Sequence, residues 1–207
     1  MITDTMYIGS GDVHALISGK DTKSHAALLQ RFVSGVRPYY NAYASPIDAL
    51  RTGAILEDRY LLTLPDDYFA QYKVTSEDMN VFKCSLDFAR VSGGDVVDFD
   101  ELKTLSFGDY LQFVEPIKDD NDALVKFVRK KHKAYYYQVQ EQLYCTCLDS
   151  CNIVFLAVYN YDDDENRHRD IQPNEYCKIR MKRDEAAIEE LKERGRVFQA
   201  IKDYYTK

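Results

Sequence analysis

The sequence predicts an α/β protein in which a mixed central β-sheet is flanked by helices. Two segments of high strand propensity flank a pair of glycines, as in a β-hairpin. A later apolar run is typical of a buried strand, and segments with helical spacing lie on both sides of this strand-rich part of the chain. Helices in this order pack against the faces of a sheet. The length of 207 residues suits one such unit, and we predict a single domain over residues 1–207.

Two helices are predicted before the first strand. Residues 24–34 carry apolar side chains at helical spacing, which indicates a packing helix. A second helix is predicted to begin at Ser45-Pro46, because serine is a favoured N-cap and proline suits the first helical position. This helix should extend to about Leu62.

A β-hairpin is predicted next. Residues 82–91 and 96–104 are rich in valine, phenylalanine and leucine, and the turn Ser92-Gly93-Gly94-Asp95 joins them. Two adjacent glycines between such segments are a strong signal for a tight turn between antiparallel strands.

Four more elements are predicted after the hairpin. Residues 122–144 have the pattern of one long helix or two joined helices, and residues 184–205 that of a charged amphipathic helix. The apolar run NIVFLAVY at residues 152–159 indicates a buried strand, and residues 176–181 indicate an edge strand.

The hairpin brings two carboxylates and a lysine together. A two-residue loop at the glycines places Asp87 opposite Asp100, whereas a one-residue bulge there places it opposite Glu101. Because strand side chains alternate between faces, Glu101 and Lys103 project to the same side and Leu102 points the other way, into a core.

This cluster has a direct chemical use. Carboxylates on adjacent strands can hold Mg²⁺ or Mn²⁺, which favour oxygen ligands, and a bound ion can activate water for attack on a phosphodiester. Lys103 could orient that water or neutralise developing charge. The alternative is that Glu101 belongs, with Asp95, Asp98 and Asp100, to a solvated acidic strand edge.

Composition bounds the function further. The chain has no apolar run of about 18 residues and no signal-peptide pattern, so we expect a soluble cytoplasmic protein with no membrane partner. Its cysteines are odd in number, which argues against a disulfide framework. They are Cys84, Cys145, Cys147, Cys151 and Cys177.

The net charge of −7 repels a polyanion such as DNA at long range. Binding to DNA would therefore depend on a local cluster of basic residues. The best candidate is the basic segment KFVRKKHK at residues 126–133, whose alternative role is a solubilising helix face. The acidic run at residues 162–165 is expected to form an exposed loop. Within the basic segment the candidate phosphate contacts are Arg129, Lys130, Lys131 and Lys133, and a weaker basic set comprises Lys178, Arg180, Lys182 and Arg183.

Four motifs occur in order along the chain. They are GSGDVHALI at residues 9–17, RTGAILE at residues 51–57, the pair Ser85-Leu86-Asp87 and Glu101-Leu102-Lys103, and YYYQVQEQLY at residues 135–144. In this order and spacing the motifs resemble those of the YqaJ/lambda-exonuclease type of viral recombinase, within the PD-(D/E)xK nuclease superfamily. The resemblance covers nearly the whole chain.

The resemblance implies a PD-(D/E)xK restriction-endonuclease-like fold and a Mg²⁺-dependent exonuclease, with Mn²⁺ as a possible substitute. Such an enzyme is expected to act 5′ to 3′ on the ends of double-stranded DNA and to make single-stranded tails for phage-type recombination. The expected partner is a single-strand annealing protein, some relatives are trimers, and the setting is a bacterial cytoplasm with a phage or prophage gene.

The resemblance also implies roles for individual residues. Asp87, Glu101 and the backbone carbonyl of Leu102 would bind metal with help from Glu57, while Lys103 and Gln138 would position water. Ser10, Arg51 and Tyr135 are expected to contact DNA. By the sequence alone, a charged helix face is the favoured interpretation of Glu57, and only the resemblance reverses it. Tyr135 could simply pack, and Gln138 could be exposed. Gly53, one turn before Glu57, would let a neighbouring backbone or DNA approach closely.

Two departures from the family pattern matter. Leu86 and Phe88 flank Asp87 where the family often has proline and glycine, which alters the local turn but keeps the carboxylate. Lambda-type enzymes hold the 5′-phosphate with an arginine before the opening motif and a serine within it. Here no arginine precedes Gly9, and Gly11 takes the best-aligned serine position, with Ser10 one residue away. The end preference therefore stays open.

Two other functions remain open at this point. A related nuclease of the CRISPR-adaptation type carries an iron–sulfur cluster, for which four thiolates could be supplied here. The second alternative is a non-catalytic DNA-binding or assembly subunit, against which the intact set of Asp87, Glu101 and Lys103 argues. The four candidate thiolates are those of Cys145, Cys147, Cys151 and Cys177.

Overall fold

The computed structural model describes residues 5–36, 48–158 and 169–207. Its centre is a mixed five-stranded sheet with strand order β1-β2-β3-β4-β5. All neighbouring pairs are antiparallel except β3 and β4, which run parallel. The strands are β1 Tyr68–Thr75, β2 Lys83–Ser92, β3 Asp95–Ser106, β4 Ser150–Val158 and β5 Tyr176–Lys182.

Helices cover both faces of this sheet, so the predicted α/β class is confirmed. The helices are α1 Val13–Ile17, α2 Lys23–Ser34, α3 Asp48–Leu61, α4 Phe107–Asp109, α5 Asn121–Lys131, α6 Lys133–Thr146 and α7 Glu185–Thr206. Short 3₁₀ helices lie at Ser10–Asp12, Glu115–Ile117 and Pro173–Glu175, and a π-helical turn lies at Tyr110–Val114.

Most predicted elements are present, with two differences. The sequence reasoning missed β1, because its side chains are largely exposed and give little of the buried alternation that marks a strand. The long helix predicted at residues 122–144 is two helices, and His132 separates α5 from α6 with φ −123° and ψ 52°. The predicted edge position of β5 is confirmed. The predictions for Ser45-Pro46, Tyr159 and residues 162–165 lie outside the described residues.

The two faces of the sheet have separate cores. On one face, Val139 and Leu143 of α6 belong to a large core with Ile153 and Phe155 of β4. This arrangement places α6 over the centre of the sheet.

On the other face, Leu56 and Tyr60 of α3 pack in a smaller core that includes Leu102 and Val154. Leu102 therefore points into a core, as predicted. Because neighbouring residues of a strand point to opposite faces, Glu101 and Lys103 lie on the face of β3 that α6 covers. None of the helices in the described parts of the chain is both long and apolar enough to span a membrane.

Candidate active site

The hairpin register decides which carboxylates meet. Gly93 and Gly94 form the predicted two-residue turn, and both have positive φ, at 65° and 97°. The register then shifts by one residue between Arg90 and Val91, beyond the glycines, so that Phe88 pairs with Asp100. The bulged alternative is therefore correct, although the bulge lies farther along the strands than predicted.

Asp87 is consequently positioned beside Glu101. Its Oδ2 accepts a hydrogen bond from the backbone N–H of Leu102, at 3.0 Å. The strand continues without interruption through Leu86 and Phe88, which are both buried. Leu86 belongs to the large core and Phe88 to the smaller one, so packed side chains flank Asp87 on both sides in the sequence.

Glu101 lies at the centre of the site and is fully buried. Lys103 Nζ is 2.6 Å from Glu101 Oε1, and the Gln138 side-chain amide also donates to Oε1. Gln142 Nε2 donates to Oε2 at 2.6 Å. Tyr135 lies over the lysine, with Lys103 Nζ 5.2 Å from its ring centroid. The structure therefore brings Glu101, Lys103, Gln138 and Tyr135 together.

Gln142 was not singled out from the sequence. It follows Gln138 by four residues, and residues at this spacing share a helix face, so the signal was available once Gln138 had been chosen. Gln140, between them, faces away and donates to the carbonyl of Lys182 at 3.0 Å.

Glu57 reaches the site from α3. It accepts a hydrogen bond from Gln71 Nε2 at 3.3 Å, and Gln71 Oε1 accepts one from Ser85 at 3.0 Å. Gln71 adopts φ +52°, a conformation that residues with a Cβ rarely take. Because β1 was not predicted from the sequence, no sequence pattern identified Gln71 as a residue of the site.

The space beside Gly53 is not filled by a neighbouring backbone among the described residues, and the expected approach of DNA stays a prediction. A Cβ added at this position would meet Thr104 Oγ1 at 4.0 Å, which is an ordinary contact. Close approach of a neighbouring backbone at Gly53 is therefore not seen within the described residues.

The three carboxylates repel one another. Burial raises the pKa of Asp87 well above its ordinary value, Glu101 raises it further, and Lys103 opposes both. Burial likewise raises the pKa of Glu57, again with Glu101 as the main acidic neighbour. Burial acts to lower the pKa of Lys103, but Glu101 and Asp87 outweigh it and raise that pKa above the ordinary value. The ammonium thus stays charged at neutral pH.

This donor set fits a hard divalent cation. Asp87, Glu101 and Glu57 offer carboxylate oxygens, the ligands that Mg²⁺ and Mn²⁺ prefer. Burial and, after it, mutual repulsion raise the pKa of Asp87 and Glu57, and a bound cation would offset both effects.

A cleft of about 400 Å³ opens beside Asp87. Lys73 of β1 and Lys83 of β2 line it, and neither pairs with a carboxylate in the part of the chain that the structure describes. Lys83 Nζ lies 5.4 Å from the ring centroid of Tyr7. Sequence reasoning missed both lysines, because only strand pairing brings them to the site. Other polar residues that line the cleft are Ser10, Asp12, Gln71, Ser85 and Gln138, and Asp12 is paired with Arg31 at 2.6 Å.

The predicted DNA-binding residues fall into separate groups. Lys131, Lys133 and Tyr135 line a second cleft of about 510 Å³. Arg129 faces elsewhere, 3.4 Å from Asp184, and Lys130 is exposed on α5. Arg51 lies half-buried on α3. The basic segment is therefore divided between two faces instead of forming one strip.

The cysteines proposed for an iron–sulfur cluster are not brought together. Cys151 pairs with Met181 and Cys177 with Phe155, so the two cysteines lie four strand positions apart, or about 13 Å. Cys147 is exposed at the end of α6, and the Cys145 thiol donates to Glu141. Four thiolates on one cluster would require these elements to rearrange.

Comparisons with solved structures identify the fold. The crystal structure of LHK-Exo in complex with dAMP has a TM-score of 0.61 and 18% identity, over 99% of this chain and 92% of that chain. The alkaline exonuclease LHK-Exo from Laribacter hongkongensis has a TM-score of 0.62 and 18% identity, over 97% and 90%. A phage-related exonuclease from Haemophilus somnus 129PT has a TM-score of 0.54 and 14% identity, over 97% and 95%. No family model and no curated protein matches the sequence.

This chain therefore has the fold of these exonucleases over nearly its whole length. The fold agrees with the resemblance to the YqaJ/lambda-exonuclease type and with the predicted PD-(D/E)xK-like architecture.

Proposed function

We propose that this chain is a Mg²⁺-dependent deoxyribonuclease, also active with Mn²⁺, that removes nucleotides from the 5′ ends of double-stranded DNA. The observation that carries the proposal is the meeting of Asp87, Glu101 and Lys103 at one point, with Gln138 bound to the same carboxylate. The exonuclease structures with this fold support it, and one of them is a complex with dAMP, a deoxynucleotide.

Metal would be held by Asp87, Glu101 and the carbonyl of Leu102, with help from Glu57. When bound, the ion would lower the pKa of water and stabilise negative charge on the scissile phosphate. Lys103 supplies a fixed positive charge for the same phosphate, because its acidic neighbours keep it protonated. The Gln138 amide, once released from Glu101, can donate to the attacking water or to a phosphate oxygen without adding charge.

The cleft beside Asp87 supports a preference for 5′ ends. Lys73 and Lys83 supply two cations to the wall of this cleft, and Ser10 and Ser85 supply hydroxyl groups, beside the carboxylates of Asp12 and Asp87. In this chain the two lysines would replace the arginine that the family places before its opening motif. The proposal also includes single-stranded tails as product and an annealing protein as partner in phage-type recombination.

The first test is digestion of linear duplex DNA labelled at the 5′ or 3′ end, with Mg²⁺ or with EDTA. We expect Mg²⁺-dependent loss of the 5′ label, reduced at least about 100-fold by Glu101→Gln and by Lys103→Ala. The exposed ion pair Glu115–Lys118 is a matched control, because Lys118 Nζ is 2.7 Å from Glu115 Oε1. This pair lines a different cleft from Asp87. Glu115→Gln and Lys118→Ala should leave digestion unchanged.

The same assay decides the end preference. The double variant Lys73→Ala, Lys83→Ala should lose the preference for a 5′-phosphate over a 5′-hydroxyl end, whereas Lys20→Ala, Lys23→Ala has the same change in charge and should keep it. Release of the 3′ label first would contradict the polarity. Failure of the wild type to cleave duplex, nicked or single-stranded DNA would overturn the nuclease and favour a non-catalytic DNA-binding subunit.

A further inference from the structure

A second cluster of ligand-type side chains uses none of the three carboxylates Asp87, Glu101 and Glu57. The ligand atoms of Cys84, Glu141 and Cys145 all lie within 4.8 Å of one another. All three residues are buried, with exposed fractions of 1%, 0% and 5%. Cys84 comes from β2, and the other two come from α6. The cluster therefore joins two elements that are far apart in the sequence.

Hydrogen bonds already organise the cluster around Glu141. The Cys145 thiol donates to Glu141 Oε1, with the two atoms 3.5 Å apart. The Ser10 hydroxyl donates to Glu141 Oε2 at 3.0 Å. Both carboxylate oxygens are thus directed toward the cluster and toward the opening motif of the chain.

Among the described residues, Glu141 is hydrogen-bonded by Ser10 and Cys145 and forms no ion pair with a cationic side chain. Burial raises its pKa to about 8, and the nearby charges of Glu101 and Asp12 act in the same direction. A buried carboxylate without a cationic neighbour either keeps its proton or binds a positive ion.

We propose that Cys84, Glu141 and Cys145 form a binding site for a thiophilic divalent ion of the Zn²⁺ class, separate from the Mg²⁺ site. Glu141 and Cys145 are four residues apart on one helix, the spacing by which two ligands on a helix share a zinc ion, and a strand supplies the third ligand. In a tetrahedral site two thiolates on one zinc ion lie about 3.8 Å apart, because each Zn–S bond is about 2.3 Å. The three ligand atoms lie within 4.8 Å of one another, so binding would need them to close in by no more than about 1 Å.

The fourth position is open to water. Cys84 and Ser10 both line the cleft beside Asp87, which provides a route for the ion and for a water ligand. Binding would release both thiol protons and, when Glu141 is protonated, its carboxyl proton, so that two thiolates and one carboxylate face the ion. Sulfur ligands select Zn²⁺ over Mg²⁺, whereas the carboxylate set of Asp87, Glu101 and Glu57 favours Mg²⁺.

The ion would act as a clamp. It would tie β2, which carries Asp87, to α6, which carries Gln138 and Gln142. We therefore expect Zn²⁺ to stabilise the fold with Mg²⁺ present in excess, and to raise the unfolding temperature of the full chain.

The test does not depend on nuclease activity. The EDTA-treated full chain is loaded with Zn²⁺ in excess Mg²⁺ and dialysed, and the retained zinc is measured by elemental analysis. Loading with Co²⁺ then reports on the ligands, because thiolate ligation produces a sulfur-to-cobalt charge-transfer band. We expect about one zinc per chain and this band in the wild type.

Variants separate the two sites. Glu101→Gln should keep both the zinc and the cobalt band, and Cys147→Ser is a matched control because that thiol is exposed. The Cys84→Ala and Cys145→Ala variants should lose both the bound zinc and the cobalt band. Circular dichroism checks that these variants are folded. Glu141→Gln, which preserves the shape of the side chain, should weaken zinc retention at least tenfold. Absence of the cobalt band in the wild type, or zinc retention that Glu101→Gln abolishes and Cys145→Ala leaves intact, would overturn the proposal.

Discussion

Gln142 donates a hydrogen bond to Glu101, with Nε2 and Oε2 2.6 Å apart. Both side chains are fully buried, and the other carboxylate oxygen, Oε1, is bound by Lys103 and Gln138. Gln142 therefore fixes the orientation of Glu101 from the side opposite the lysine.

We predict that Gln142→Met lowers the affinity for Mg²⁺ about tenfold or more, because side chains that hold a metal ligand in place commonly contribute this much. The free energy of unfolding should also fall by about 1–3 kcal/mol, since Glu101 keeps its burial but loses a donor. Gln140→Met is the matched control. Gln140 is equally buried but bonds the backbone at Lys182 and Asp184. The Gln140→Met variant should lose a similar amount of unfolding free energy but keep its affinity for Mg²⁺. Urea unfolding measures the first quantity and titration calorimetry the second.

Gln71 carries backbone strain at the site. It lies between the paired positions Ala70–Phe88 and Tyr72–Leu86, and so faces Asp87 across the β1–β2 ladder with φ +52°. Such strain persists where surrounding contacts hold it, here those of Gln71 with Glu57 and Ser85.

Comparison of Gln71→Gly with Gln71→Ala isolates this strain, because both variants lose the amide and only alanine keeps a Cβ. We predict that the glycine variant is the more stable by about 1 kcal/mol, the reverse of the order at an ordinary strand position. Both variants should bind Mg²⁺ several-fold more weakly than the wild type. A lower stability of the glycine variant in urea unfolding would mean that φ at this position is not strained.

Asp184 makes stability depend on acid pH. Its carboxylate caps α7 by accepting hydrogen bonds from the N–H groups of Ala186 and Ala187. It also accepts a hydrogen bond from the Tyr136 hydroxyl and lies near Arg129. The hydrogen bond from Tyr136 is the largest of the interactions that lower its pKa. Because the folded pKa lies below the unfolded one, the carboxylate stabilises the fold above about pH 4. This contribution is lost as the pH falls through the folded pKa.

We therefore predict that Asp184→Asn lowers the free energy of unfolding by about 0.5–1 kcal/mol at pH 7, since asparagine can still cap the helix but carries no charge. The difference from the wild type should shrink below pH 3. Asp120→Asn at the cap of α5 is a control, because Asp120 accepts from Ala123 N–H and is not bound to a tyrosine among the described residues. Urea unfolding at several pH values measures both, and a difference that is constant with pH would contradict this account.

Gly195 allows α7 to pack against Phe82. A Cβ at Gly195 would lie 2.6 Å from two atoms of the Phe82 ring, which is fully buried. We predict that Gly195→Ala destabilises the protein by up to about 2 kcal/mol net, because overpacking costs about 1–3 kcal/mol and the helix-propensity gain returns about 1 kcal/mol. Gly108→Ala on α4 meets no atom within 4 Å and should not destabilise. Thermal or urea unfolding of both variants checks the ordering.

The sequence alone determined the parts of the site that depend on short-range spacing. The two glycines located the hairpin, and strand alternation put Glu101 and Lys103 on one side of β3 and Leu102 on the other. These relationships follow from backbone geometry within a few residues, so a linear pattern reveals them. Gln138 was singled out only by the family resemblance, and the structure places it on Glu101, 37 positions away.

Only the tertiary structure decided the rest. The position of the bulge selected Glu101 as the neighbour of Asp87, and pairing of the missed strand β1 brought Gln71 and Lys73 to the cleft. The contact between Ser10 and Glu141 joins residues 131 positions apart. Such contacts arise when separately formed elements pack around a shared core, and no local periodicity records which side chains will then meet.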